Sequence, residues 1–118
     1  MTNFETLKHK MEGDKTSVPR YIRMAYNNSV DHKMETLTFD ELPWGRHVVI
    51  ELKEMVEFLK NLGIKEFWVC ERSTALSEAL VYLMQNGVTI TGGEIYKMPS
   101  IFGSHFTNDV PVLKCQIK

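Results

Sequence analysis

The fold is decided by residues 66–91, which read EFWVCERSTALSEALVYLMQNGVTIT. Residues 66–71 are a short apolar run bounded by charge, residues 73–86 repeat apolar side chains at helical spacing, and Gly87 ends that repeat. Residues 88–91 then alternate apolar and polar side chains. A strand, a helix and a strand within this length indicate a βαβ unit, whose crossover is nearly always right-handed. We expect its two strands to be parallel neighbours.

The strand at 66–71 differs from the rest of the chain because it is apolar on both faces. Neighbouring residues of a strand point to opposite faces, and all four residues of 67–70 are apolar. Such a strand needs cover on both sides and is therefore predicted to be central. The helices predicted at 46–62 and 74–86 cover one face each or share a face. In the second case the other face needs the N-terminal segment or a second chain.

The remaining elements are predicted from periodicity and from turn residues. Apolar residues recur at i, i+4, i+7 and i+8 through 46–62, and Gly63 supplies the stop. The segment 88–98 contains two glycines, which indicate a bulge or a close approach of another backbone. The C-terminal segment 110–118 alternates apolar and charged residues, which is typical of a half-buried strand, here antiparallel to 88–98 and near a sheet edge. A short helix is predicted at 4–12.

Residues 17–39 support two interpretations. Ser17 and Pro19 are suited to start a helix. The tyrosines and isoleucine of 20–26 favour a strand, with a turn after it and a second strand at 34–39. We take the strand as the prediction and the helix as its alternative.

Together these elements predict one domain over 1–118, of the α/β class with α+β as the alternative. Its parts are a small mixed sheet of three to five strands, a βαβ unit (66–71, 74–86, 88–98), a C-terminal antiparallel strand (110–118), two main helices (46–62, 74–86) and a short N-terminal helix.

Composition is that of an ordinary globular protein. The hydrophobic fraction is 43%, the charged fraction 25% and the net charge −1, which gives no electrostatic footprint for nucleic acid or membranes. A nucleic-acid contact through basic residues near the N-terminus is a weaker alternative. There is no secretion signal and no membrane-length apolar run. We therefore expect a cytoplasmic protein in which Cys70 and Cys115 are reduced and buried.

A ligand site is predicted where three loops converge. Ligands of open α/β sheets bind beyond the carboxyl ends of the strands. If strands 34–39, 66–71 and 88–98 run parallel, the loops 40–47 and 71–74 meet the loop 99–109 at one end. The ligand-binding candidates there are Trp44, Arg46, His47, Arg72, Ser73 and His105, beside Glu71, Thr74 and Ser104.

No motif names a reaction. The helix start at Ser73 is suited to an anion, but no glycine-rich turn accompanies it. Cys70 is better explained as a buried structural thiol than as a nucleophile. The spacing of His and Cys supports no metal site, and no cofactor is predicted. The favoured hypothesis is a small non-catalytic binding or interaction protein acting as a homodimer. The alternative is a small enzyme or anion/nucleotide-binding domain with its site at the carboxyl ends of the strands.

Overall fold

The computed structural model describes residues 3–34, 36–70, 75–99 and 107–118. Over these residues the chain forms helices and a mixed sheet, which confirms the predicted α/β class. The helices are α1 (Asn3–Gly13), α2 (Arg20–Asp31), α3 (Val48–Asn61) and α4 (Leu76–Gln85), with a 3-10 turn at Lys15–Ser17. The strands are β1 (Thr38–Phe39), β2 (Glu66–Cys70), β3 (Val88–Pro99) and β4 (Thr107–Ile117).

The strand order is β1-β2-β4-β3. Strand β1 is parallel to β2, whereas β4 is antiparallel to both β2 and β3. The two strands of the βαβ unit therefore run in the same direction, as predicted, but they are not neighbours. Strand β4 returns from the end of β3 into the gap between them. The prediction that β4 lies near an edge is wrong for the same reason, although its alternation of buried and wet residues is confirmed.

The main core lies on one face of the sheet. Phe67 and Val69 of β2 are fully buried there, together with Phe39, whose ring meets that of Phe67 edge-on at 5.4 Å between centroids. The buried residues that α3 and α4 contribute belong to the same cluster, and so do those of α1 and α2. The two main helices therefore share one face of the sheet.

The opposite face of β2 is covered within the chain. Cys70 is fully buried in a second, smaller cluster with Met34 and Val112, and Trp68 packs against that cluster. Met34 belongs to the segment that links α2 to β1, so the N-terminal part of the chain supplies this cover. An apolar central strand is thus satisfied on both faces without a second chain.

Residues 20–31 form helix α2, so the predicted strand at 20–26 and the turn after it are wrong and the alternative is correct. Ile22, Ala25 and Ser29 recur at i, i+3 and i+7 and form the buried side of the helix. This burial outweighs the strand preference of tyrosine and isoleucine, which is weak and depends on context. Of the predicted strand at 34–39, only Thr38–Phe39 pairs with β2.

Helix α2 seals the sheet edge formed by β1. The backbone N–H of Thr38 donates to Ser29 Oγ at 2.8 Å, and the Ser29 hydroxyl donates to the Ala25 carbonyl at 2.6 Å. Both Ser29 and Thr38 are fully buried. An edge N–H that would otherwise need water or another strand therefore finds its partner inside the chain.

Glycines end both main helices, as predicted. Gly63 and Gly87 adopt φ of 77° and 88°, the left-handed conformation that glycine reaches without strain. The predicted bulge in β3 is also present, as a shift of register between Ile90 and Gly92. No helix within the described residues is long and apolar enough to cross a bilayer.

The Ser29 contact generates a stability prediction. Replacing Ser29 by alanine leaves the buried Thr38 N–H without a partner, and we expect the free energy of unfolding to fall by about 1–3 kcal/mol. Urea unfolding followed by circular dichroism measures this change. Ser77→Ala, at an exposed helix position of α4, is the control and should change stability by only a few tenths of a kcal/mol. Equal effects of the two substitutions would show that Ser29 does not seal the edge.

Candidate binding surface

The strand directions bring the predicted loops to one end of the sheet. Strands β1, β2 and β3 all run the same way, so each ends at the end that we call the carboxyl end. Of the candidate residues that the sequence placed there, Arg72, Ser73 and His105 lie outside the described residues, as do Glu71, Thr74 and Ser104. The described part of this end consists of the loop 40–47, the starts of α3 and α4, and the distal parts of β3 and β4.

Trp44, Arg46 and His47 are all exposed in the loop before α3. Gly45, between them, has a φ of 90° and turns the chain toward the helix. His47 occupies the position just before the helix, but its side chain makes no capping hydrogen bond. These three side chains are therefore accessible to a ligand.

Strands β3 and β4 project beyond the rest of the sheet. The last pair that β2 makes with β4 is Cys70 with Val112, and Val112 pairs with Glu94 on the other side. Five further pairs, from Ile95–Pro111 to Pro99–Thr107, extend past this row. At about 3.4 Å per residue this projecting arm, residues 95–99 and 107–111, adds roughly 17 Å. A two-stranded ribbon of this kind is marginal without packing against something else.

An apolar groove of about 500 Å³ lies between this arm and the start of α4. It is lined by Leu76, Gly93, Glu94, Ile95, Pro111, Val112 and Leu113. Ile95 is the most exposed of the large apolar side chains described, at 64% of its surface. Glu94 is the only lining residue with an ionisable side chain, and its carboxylate is 2.7 Å from Lys114 Nζ. The groove therefore offers apolar surface rather than acid–base chemistry.

The apolar surface continues along one side of α4. Leu80 and Met84 follow Leu76 at i+4 and i+8, so the three side chains form one stripe along the helix. Leu76 and Leu80 are half-buried, and Met84 is 50% exposed. Because Leu76 lines the groove beside β3, the stripe begins at the groove. We call it the α4 stripe.

The outer edge of β3 is open. Strand β3 pairs only with β4, and no other described segment pairs with its twelve residues. Residues 91–95 are all exposed. Long exposed edges usually carry a charge that discourages pairing, yet the one charged side chain among these five residues, Glu94, is bound by Lys114. The two edges of the sheet therefore differ, because β1 is sealed by Ser29 and β3 is not.

The sheet face opposite the helices is mostly polar. Lys114 lies 5.5 Å above the centre of the Trp68 ring and bonds Glu94. Glu66 and Gln116 flank them and are exposed. Because antiparallel sheets often expose one polar face to water, this face needs no further cover. The second chain that was one of two predicted covers for this sheet face is therefore not needed there, and the exposed apolar surface lies at the β3 edge instead.

The sequence did not single out the residues of this surface. Ile95 lay within the predicted strand 88–98, and Leu76 and Leu80 lay within the predicted helix 74–86. The signal that was available is the glycine pair before Ile95, which removes side chains beside the groove. The position of β4 between β2 and β3, which makes β3 an edge, is not visible in any local pattern.

Cys70 and Cys115 are buried and form no disulfide, as the sequence predicted. Cys70 pairs with Val112 and Cys115 pairs with Phe67, so the two thiols lie on opposite faces of the sheet. Burial raises the pKa of the Cys115 thiol from 9.0 to about 11. A thiol with this pKa is protonated at neutral pH and is a poor nucleophile. Among the described residues, no three His, Cys, Asp or Glu side chains gather into a metal-binding group.

Comparison with known proteins gives one match. A family described as a domain of unknown function, DUF7698, matches residues 21–114, from the start of α2 into β4. This range includes the whole described sheet except the last residues of β4, together with the groove and the α4 stripe. No curated protein and no solved structure matches the chain.

The buried Cys115 thiol predicts a loss of stability at alkaline pH. Its pKa is higher in the folded chain than in the unfolded chain, so the unfolded state loses the proton first as the pH rises above 9. We expect the free energy of unfolding to fall between pH 9 and about 11, with a slope of up to about 1.4 kcal/mol per pH unit from this group. Urea unfolding at several pH values measures this slope. Cys115→Ala should remove that part of the slope, and an unchanged slope would refute the assignment.

Proposed function

The chain belongs to the DUF7698 family, and we propose that it is a non-catalytic binding protein that acts as a homodimer. The observation that supports this most directly is the open β3 edge beside the apolar groove and the α4 stripe. We also propose a cytoplasmic location, which is favoured by two buried cysteines that form no disulfide, because the cytoplasm keeps thiols reduced.

The contrast between the two sheet edges is the first argument for a partner at β3. At β1 the chain supplies Ser29, and α2 lies over the edge. At β3 the backbone edge is longer, has no such cover from described residues and carries no unpaired charge over 91–95. Unpaired strand edges of this length are templates for another strand. A partner strand would satisfy these backbone groups.

Exposed apolar surface next to the edge is the second argument. Ile95 and Met84 are 64% and 50% exposed, and Leu76 and Leu80 are half-buried beside them. Burying the remainder of such side chains stabilises an interface by about 1 kcal/mol each at about 25 cal/mol per Å². A stable dimer buries about 800 Å² per partner. The groove, the stripe and the edge adjoin one another through Leu76 and Ile95, so one partner can bury them together.

The chemistry of the groove supports binding rather than catalysis. A catalytic site needs a nucleophile or an acid–base group within reach of the substrate. The described lining residues offer Glu94 alone, which is held by Lys114. The thiols of Cys70 and Cys115 are buried within the sheet. The groove is thus suited to an apolar side chain of a partner.

The dimer is tested by light scattering at micromolar concentration. We expect the wild-type chain to have twice the mass of one chain. Met84→Lys places a charge in the α4 stripe, and we expect it to weaken the dimer by tenfold or more, since about 1.4 kcal/mol is a factor of ten.

Met24→Lys is the matched control, because Met24 is an exposed helical methionine of α2, at 42%, on the side of the sealed edge. It should leave the dimer unchanged. A monomeric wild-type chain, or equal weakening by both substitutions, would overturn the proposal.

A second candidate function is favoured by the strand directions. The loop 40–47, with Arg46 exposed, leaves the same end of the sheet as the segments that follow β2 and β3, where ligands of α/β sheets bind. On this hypothesis the chain is an anion- or nucleotide-binding domain. The observation is weaker than the open edge because the loop 40–47 brings a single arginine or lysine, Arg46, to this end.

This candidate predicts binding of phosphate-containing ligands. Inorganic phosphate and ATP should raise the midpoint of thermal unfolding of the wild-type chain, because a ligand that binds only the folded state stabilises it. Arg46→Ala should reduce that increase, whereas Arg20→Ala, at an exposed arginine of α2, should not. No increase in the wild-type chain, or the same loss in both variants, would exclude a site at Arg46.

A further inference from the structure

We infer that the two chains of the homodimer pair through their β3 strands, antiparallel, with the two-fold axis at Ile95. The sheets of the two chains then join into one continuous sheet of eight strands. This inference rests on the proposed function and specifies its interface.

The direction of the backbone groups decides which residues of β3 are available. Ile117 N donates to the Lys65 carbonyl, toward β2, and Lys118 N donates to the Gly87 carbonyl, toward β3. Because successive residues of a strand point their backbone groups alternately, the even-numbered residues of β4 bond to β3. Their partners beyond the bulge are Gly92, Glu94 and Tyr96. The residues between and after these partners, Gly93, Ile95 and Lys97, therefore direct their N–H and C=O groups outward.

These three outward residues are self-complementary in one register. With the axis at Ile95, the two copies of Ile95 exchange both backbone hydrogen bonds, and Gly93 does the same with Lys97 of the partner subunit. Every outward N–H and C=O of 93–97 is then used. If the two-fold axis lay between two residues, each outward residue of one chain would face a residue whose backbone groups already bond to β4. The two β3 strands would then form no hydrogen bonds with each other.

The two neighbouring registers form fewer backbone hydrogen bonds between the β3 strands. An axis at Glu94 pairs Gly93 with Ile95 of the partner subunit but places Lys97 opposite Thr91, where the bulge interrupts the alternation of backbone groups. An axis at Tyr96 pairs Ile95 with Lys97 of the partner subunit but places Gly93 opposite Pro99, which has no N–H to donate. The register at Ile95 uses all three outward residues, and it places Pro99 opposite Thr91, beyond them.

The same register provides cover for the projecting arm. Since α4 leads from the end of β2 back to the start of β3, it runs antiparallel to β3, with Leu76 beside Ile95 and Met84 nearer Val88. When two antiparallel β3 strands pair at Ile95, the arm of the partner subunit continues from Ile95 along the first chain's β3 in the direction of Val88. The arm of each chain is therefore placed along the α4 stripe of the other. The arm and the stripe, which the described residues of the same chain do not fully cover, then cover each other.

A cross-linking experiment tests the register in the full chain. In Ile95→Cys the two introduced thiols lie at the axis, where directly opposite residues have Cα atoms about 5.5 Å apart. We expect a short bismaleimide to convert this variant mainly to a species of twice the chain mass. In Thr89→Cys, also at an exposed position of β3, the thiols are about twelve residues apart along the paired strands, roughly 40 Å. That variant should remain uncrosslinked, as should the wild-type chain, whose two cysteines are buried.

Light scattering on the same samples separates the two proposals. Dimers in which the Ile95→Cys variant cross-links and the Thr89→Cys variant does not support the inference. Dimers in which the Ile95→Cys variant does not cross-link, or in which both variants cross-link equally, overturn the β3 register and leave the proposed function standing. Monomers at all concentrations tested overturn both, and would leave a strand from a different protein as the occupant of the edge.

Discussion

The need to cover both faces of β2 is the constraint on which the rest of the structure depends. Phe67 and Val69 require a layer of helices on one side, and Cys70 requires a second, smaller cover on the other. Helices α3 and α4 supply the first layer, and Met34 with Val112 supplies the second. The chain therefore folds around an interior strand in which Phe67, Val69 and Cys70 are fully buried and Trp68 is half-buried under Lys114.

The two sheet edges give the molecule its asymmetry. At β1 the Ser29 side chain accepts a hydrogen bond from the edge N–H of Thr38, and the helix that carries Ser29, α2, packs against the core. At β3 the edge, the groove and the α4 stripe meet on one side, and the projecting arm extends beyond them. A binding surface in this position uses groups that the fold itself does not need, so its loss by mutation need not unfold the chain.

The predicted helices at 46–62 and 74–86 were found within about two residues because each carries a long apolar stripe and a terminal glycine, which are local signals. The segment 20–26 was misjudged because tyrosine and isoleucine fit either state when no long stripe is present. Its helical state depends on burial of Ile22 and Ala25 against elements that are distant in sequence. The loop 40–47 lies at the carboxyl end of the parallel strands, as predicted, whereas the ligand site there stays a prediction. Ile95 was not recognised as exposed.

The sequence by itself determined the α/β class, the central position of β2, the helix stops at Gly63 and Gly87 and the bulge in β3. Each of these follows from side-chain periodicity or from a backbone conformation that glycine favours, and both act over a few residues. Only the tertiary structure decided that β4 lies between β2 and β3, that α2 seals one edge and that β3 forms the other. Strand order depends on pairing between residues far apart in the chain, and a half-buried strand has the same alternation in the interior of a sheet as at its edge.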